Sequence, residues 1–140
     1  MARFTKEQTK ELNEFLCNCC YIHDAKIDRV MYKQREKELM LNILNFNFNV
    51  KFNLIICGIE ILLATKGNYF GDSNTILSLT LEDISYWESF SHEHNMSTSD
   101  SLYMLFQMFS GDELHVVFKE IIITEQYKTD DGSKPLKKSD

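Results

Sequence analysis

The chain is short of the residues that build long irregular segments: its 140 residues include one proline and five glycines. Turns must therefore be few and made mostly from polar side chains. No run of 18 apolar residues occurs, and Met1 to Gln8 lack the apolar centre of a secretory signal, so a soluble, cytoplasmic protein without a membrane partner is expected. Cysteine is also sparse, with Cys17, Cys19 and Cys20 crowded together and Cys57 alone. Near-adjacent cysteines are badly placed to bridge one another, and unmatched thiols suit a reducing compartment.

The sharpest absence is positive charge. Between Gly67 and Phe118 there is no Lys or Arg, while Asp72, Glu82, Asp83, Glu88, Glu93, Asp100, Asp112 and Glu113 all fall there. Such a stretch repels phosphate and attracts basic proteins, and without a basic stripe carrying interleaved aromatics nucleic-acid binding is disfavoured. Lys66-Gly67 with Gly71-Asp72-Ser73 does not match a phosphate-cradling loop either.

What the chain does have is strand periodicity. Phe46, Phe48, Val50, Phe52, Leu54 and Ile56 alternate with polar or half-polar neighbours, which sends one apolar face into a core and an Asn-rich face outward. Leu39, Leu41 and Ile43 alternate on odd numbers, so the phase slips near Leu44 and Asn45. A slip in a period of two marks a turn or bulge, and two antiparallel strands joined near Asn45 to Asn49 follow. Gln34 to Lys37 reads as a turn between an earlier strand and the one starting near Glu38.

At the start, Thr5-Lys6-Glu7-Gln8 has the form of a capping box ahead of a helix from Lys6 to Cys19. Further along, Ile59 to Ala64 reads as a continuation of the preceding strand beyond a bulge at Gly58 or as a short buried strand, Thr75 to Leu81 as a strand, and Lys66 to Asn74 and Ser91 to Ser101 as loops. Ile84, Trp87 and Phe90 recur at spacing three. Leu102 to Phe109 and Leu114 to Thr124 pair as a hairpin with Gly111 first in a two-residue turn, which sets Phe109 against Leu114, Phe106 against Val117 and His115 against Met108. The whole predicts one α+β domain over residues 1–127, an N-terminal helix packed on an antiparallel sheet of about five to seven strands, with 128–140 as a mobile tail.

Candidate chemistry is thin. Cys17-x-Cys19-Cys20-x-x-His23 has enough ligands for zinc but not the two separated pairs that structural sites use, so packed thiols are the better account. His92-x-His94, with Glu93 between and Asp100 nearby, chelates only if a strand holds both rings on one side; in a loop nothing fixes them, and no triad that would make either a general base is visible. His23-Asp24 are neighbours, which an extended chain turns opposite ways. No cofactor, metal or catalytic residue is assigned.

Ile22-His23-Asp24-Ala25-Lys26-Ile27, Leu39-x-Leu41, Phe52-x-Leu54-x-Ile56-x-x-Ile59 and Phe109-Ser110-Gly111-Asp112-Glu113-Leu114-His115 together resemble small bacterial sheet-rich domains, some of them related to the immunity proteins of polymorphic toxins. The resemblance covers residues 20–123 and implies a sheet-rich domain that binds and blocks a toxin. It carries over no catalytic residue.

The functional expectation is a non-enzymatic protein-interaction module of immunity type, contacting a basic toxin through Asp72, Glu88 and Glu93. A small-ligand or enzymatic domain using loops 68–74 and 91–100 is the alternative. If the thiols are structural, purified protein should carry no stoichiometric zinc and should keep its melting temperature in excess chelator; one equivalent of metal on elemental analysis would overturn this.

Overall fold

The phase slip at Asn45 is a hairpin turn. In the computed structural model, which describes residues 1–18, 22–67 and 74–127, Asn45 closes one strand and Val50 opens the next. Asn49 takes a left-handed backbone, φ 51°, which Asn tolerates well, and Asn45 Oδ1 accepts from Asn47 N–H. Phe46, counted above with the strand, belongs to this turn and is 69% exposed.

Nine strands occur among the described residues: β1 (Ala2–Thr5), β2 (Lys26–Lys33), β3 (Glu38–Asn45), β4 (Val50–Cys57), β5 (Ile61–Thr65), β6 (Ile76–Glu82), β7 (Leu102–Met108), β8 (Glu113–Phe118) and β9 (Glu120–Tyr127). They form two antiparallel sheets, ordered β1-β9-β4-β3-β2 and β5-β8-β7-β6. The α+β class is as expected, with the strands divided between two sheets. The inner faces share one core: Leu39, Leu41, Ile43, Phe52, Leu54 and Ile56 from the first sheet meet Met104, Phe106, Val116 and Phe118 from the second. The described residues also form two α-helices, α1 (Thr9–Asn18) and α2 (Glu88–Glu93), and no helix among them is long and apolar enough to cross a membrane.

The N-terminal segment differs in detail from expectation. Phe4 is buried, and Ala2 to Thr5 pair with β9 as a short strand before any helix begins. Gln8 Oε1 then accepts from the Thr5 N–H at 2.9 Å and the Thr5 hydroxyl at 2.7 Å, so the capping box opens on a 3-10 turn, Lys6–Gln8, that leads into α1. Leu12 and Leu16 point from α1 into the core, and the helix lies against β6 and β1, edge strands of different sheets.

The chain changes sheets at two points, and these lie side by side. After β4 it passes through Gly58 into β5; after β8 it passes through Lys119 into β9. Lys119 N–H donates to the Cys57 carbonyl at 3.1 Å and Glu60 N–H to the Val117 carbonyl at 2.8 Å. Gly58 has φ +67°, and a Cβ there would sit 2.8 Å from Lys119 Cγ, so both conformation and space demand glycine. Above it the Lys119 ammonium reaches Glu60 at 2.9 Å and Asp100 at 2.5 Å. Burial works against that charge, but the hydrogen bonds it donates to Asp100 and Glu60 outweigh it and hold the ammonium above the usual lysine range.

The second hairpin corrects the expected register. Phe106 pairs with Leu114, Leu105 with His115 and Leu102 with Phe118, a displacement of three residues. The loop is longer than two residues: Gly111 N–H donates to the Met108 carbonyl, Met108 N–H to the Asp112 carbonyl, and Gly111 stands at φ 85°. A type I turn closed by a left-handed glycine places Gly111 last in the loop, where the two-residue reading had it first. Leu114 to Thr124 is also two strands, because the chain crosses between sheets at Lys119.

Phe52 is fully buried between the sheets, while Asn53 on the opposite face is only half-buried. Replacing Phe52 by Ala should cost about 3–5 kcal/mol in urea unfolding, because an aromatic-sized cavity opens. Asn53→Ala should cost much less, and equal losses would contradict the face assignment.

Candidate functional site

Ile84, Trp87 and Phe90, spaced by three, wind as a 3-10 turn, Ile84–Trp87, running straight into α2. Asp83 starts the turn by accepting the Ser85 N–H at 2.9 Å, and that bond holds its carboxyl below the usual range. Ser91 ties the other end, its hydroxyl donating to the Trp87 carbonyl at 2.8 Å. The segment covers the outer face of the second sheet, where Trp87 packs with Ile61, Tyr103 and Val117. Ser91 to Glu93, expected in an exposed loop, complete α2.

Beneath this cover runs a polar chain set by strand register. Tyr103 on β7 and His115 and Glu113 on β8 share the outer face. Tyr103 Oη lies 2.6 Å from His115 Nδ1, and His115 Nε2 lies 3.1 Å from Glu113 Oε1. Gln107 extends the chain, donating to Glu113 Oε2 at 3.3 Å and accepting from the Ser78 hydroxyl at 2.8 Å. A carboxylate only accepts when ionised, so Nε2 carries the proton toward Glu113, and in the neutral ring Nδ1 accepts from the Tyr103 hydroxyl. Carboxylate, imidazole and phenol thus stand in a line able to pass a proton, yet Tyr103 is only 4% exposed. Burial pushes its hydroxyl above the ordinary tyrosine range, and Tyr86, Glu82 and Glu113 push the same way. The Trp87 N–H is buried without a hydrogen-bond partner; it favours the ionised Tyr103 oxygen while falling short of hydrogen-bond geometry.

The outer surface of the cover is aromatic and acidic. Tyr86 stacks on Tyr103 with ring centres 5.7 Å apart and is 70% exposed. Phe90 meets Trp87 edge-on at 5.8 Å, and His94 stacks on Phe90 at 4.1 Å. Glu82, directly opposite Tyr103 across the β6–β7 pair, and Glu88 and Glu93 on α2 are exposed, and none of the three closes an ion pair among the described residues. The other carboxylates of this stretch are engaged: Asp100 with Lys119, Asp112 with the Gly67 N–H at 2.6 Å, and Glu113 with His115. Asp72 lies outside the described residues, as do Cys19, Cys20, loop 68–73 and the tail.

The histidine expectations resolve separately. His92 lies in the last turn of α2 and His94 just past it, and residues two apart on a helix point to opposite sides. His94 Nδ1 lies 2.9 Å from the Phe90 carbonyl, and His92 borders an open depression of about 420 Å³ lined also by Glu88, Met96 and Ser99. His23 and Asp24, expected to diverge, meet at 3.4 Å because Asp24 is left-handed, φ 67°, and folds back on the ring; His23 Nδ1–H donates to the Leu77 carbonyl. Cys17 is exposed on α1, and burial with Glu38 and Glu120 nearby pushes the Cys57 thiol up. No group of three metal-ligating side chains occurs among the described residues. The Tyr103–His115–Glu113 line was missed through the misplaced register; Tyr103 and His115 share a face only with Gly111 last in its loop.

No protein-family model matches the chain, and neither a curated protein nor a solved structure matches it.

A tyrosine whose folded pKa is raised stabilises the fold fully below its unfolded value and loses that contribution as pH rises through the folded value. Unfolding free energy should therefore fall above about pH 10. In Tyr103→Phe the part of this slope due to Tyr103 should vanish, as checked by urea midpoints between about pH 9 and 11. An unchanged slope would mean that Tyr103 ionises freely in the folded state.

Proposed function

We propose that the chain is a non-enzymatic protein-interaction module, a bacterial immunity-type protein that binds and blocks a basic toxin in the cytoplasm through the 3-10 turn and α2. One observation carries the reading: Tyr86 and Phe90 are exposed on a short cover whose carboxylates Glu88 and Glu93, with Glu82 at the end of β6 beside it, close no ion pair among the described residues. Exposed rigid aromatics backed by a packed layer are the usual anchors of interfaces, since they bury much apolar area at little entropic cost. Unpaired carboxylates around them steer a partner of opposite charge. Toxins acting on nucleic acid are suited to such a surface, because the cations that hold phosphate give them the complementary sign.

The two components make different contributions. Steering acts at long range and is screened within about 8–10 Å, so it governs association, whereas an anchor governs dissociation. With the partner captured on the wild-type chain and identified by mass spectrometry, the double reversal Glu88→Lys, Glu93→Lys should slow association at low salt and leave the melting temperature nearly unchanged. Tyr86→Ala should speed dissociation roughly thirtyfold, as expected for an anchor costing on the order of 2 kcal/mol. Association insensitive to both salt and the double reversal would reduce the carboxylates to a solubility feature.

A further inference from the structure

Strand β2 presents a second surface, separate from the α2 cover. It is an edge of the five-stranded sheet, and among the described residues the segment leading into β6 meets its far side at Lys26 and Ile27, through Thr75 and Asn74. From Arg29 to Lys33 no strand lies on that side among the described residues. Natural edges are usually blunted by bulges, charges or a covering segment. Here the bulge falls at Asp28, and beyond it Val30, Met31 and Tyr32 follow one another at 58%, 39% and 45% exposure.

Pairing with β3 fixes which way each side chain faces. Val30 stands opposite Leu41 and Tyr32 opposite Leu39, so both share the core-facing side even though Leu41 and Leu39 are buried and they are not. Arg29 stands opposite Asn42, Met31 opposite Met40 and Lys33 opposite Glu38, on the outward side. One side of this free edge is therefore apolar and the other carries two cations around Met31.

We propose that β2 accepts an extended segment of a partner protein by strand addition, and that this segment alternates apolar residues with Asp or Glu. An added strand brings residues of one parity beside Val30 and Tyr32 and those of the other beside Arg29 and Lys33. Main-chain hydrogen bonds supply affinity in such complexes, and the alternating side chains supply selectivity. A second copy of this chain fits less well. Two-fold pairing of β2 with itself sets same-face residues opposite each other: centred on Met31 it opposes Arg29 to Lys33 twice, and centred on Val30 it leaves Arg29 facing Met31 with no counter-charge.

The test uses the full chain and two synthetic peptides, acetyl-Thr-Glu-Val-Glu-Val-Glu-Thr-amide and its counterpart with Lys in place of Glu. The Glu peptide should slow amide exchange at Arg29 to Lys33 and bind at least tenfold more tightly than the Lys peptide. The outward-facing double swap Arg29→Glu, Lys33→Glu should invert that preference. Glu88→Lys, Glu93→Lys should leave it intact, so this surface and the α2 surface fail or stand separately. Absence of protection in β2 at millimolar Glu peptide, or a preference unmoved by the swap, overturns the proposal. Protection of the same amides by self-association of the wild-type chain overturns the choice of occupant.

Discussion

Everything in this fold hangs on the place where the chain passes twice between sheets. Gly58 and Lys119 stand at adjacent crossings, held by main-chain hydrogen bonds in both directions and by the Lys119 ammonium between Glu60 and Asp100. Ser101 also bonds to Glu60 and receives a bond from Lys119 at 2.9 Å, so the loop leaving α2 is fastened to the same point. The geometry permits one backbone at position 58, because the left-handed φ and the lysine stem above it leave no room for a side chain.

The α2 cover depends on that frame through β7 and β8. Their outer face, with Ile61 of neighbouring β5, carries enough apolar surface, in Tyr103 and Val117, to seat Trp87, and enough polar surface to need internal bonding. The Ser78–Gln107–Glu113–His115–Tyr103 chain answers that need, since a polar group buried without a partner costs roughly 1–3 kcal/mol. Seating Trp87 turns Tyr86 and Phe90 outward beside free carboxylates. An aromatic surface and a rigid backing for it thus come from the same packing event.

Strand periodicity made most of the first sheet legible. Alternation over Leu39–Ile43 and Val50–Ile56 gave the faces, and the slip at Asn45 gave the turn. The same kind of slip stands in the sequence at both crossings: inward residues are even through Ile56 and odd at Ile59, even through Phe118 and odd from Ile121. Read as continuing strands, those slips concealed the second sheet. The hairpin register was lost because Gly111 suits either a two-residue turn or the last place of a three-residue one, and only the packing of Leu105 and Phe106 distinguishes them. Of the proposed surface, Glu88 and Glu93 were visible as charges, whereas Phe90 was seen only as one of three apolar residues at spacing three and Tyr86 carried no signal until the short helix placed it outside.

The order of strands in space also constrains the order of events in time. β4 and β9 lie side by side, but residues 58–119, including the whole second sheet, separate them along the chain. At the ribosome's pace of about 5–20 residues per second, β4 has only β3 beside it for roughly 3–12 s. Early in that interval Phe52, Leu54 and Ile56 face no opposing sheet, and to its end the strand's second edge is open. Closing so long a loop slows folding, and the emerging chain meets the crowded cell with β4 half-dressed.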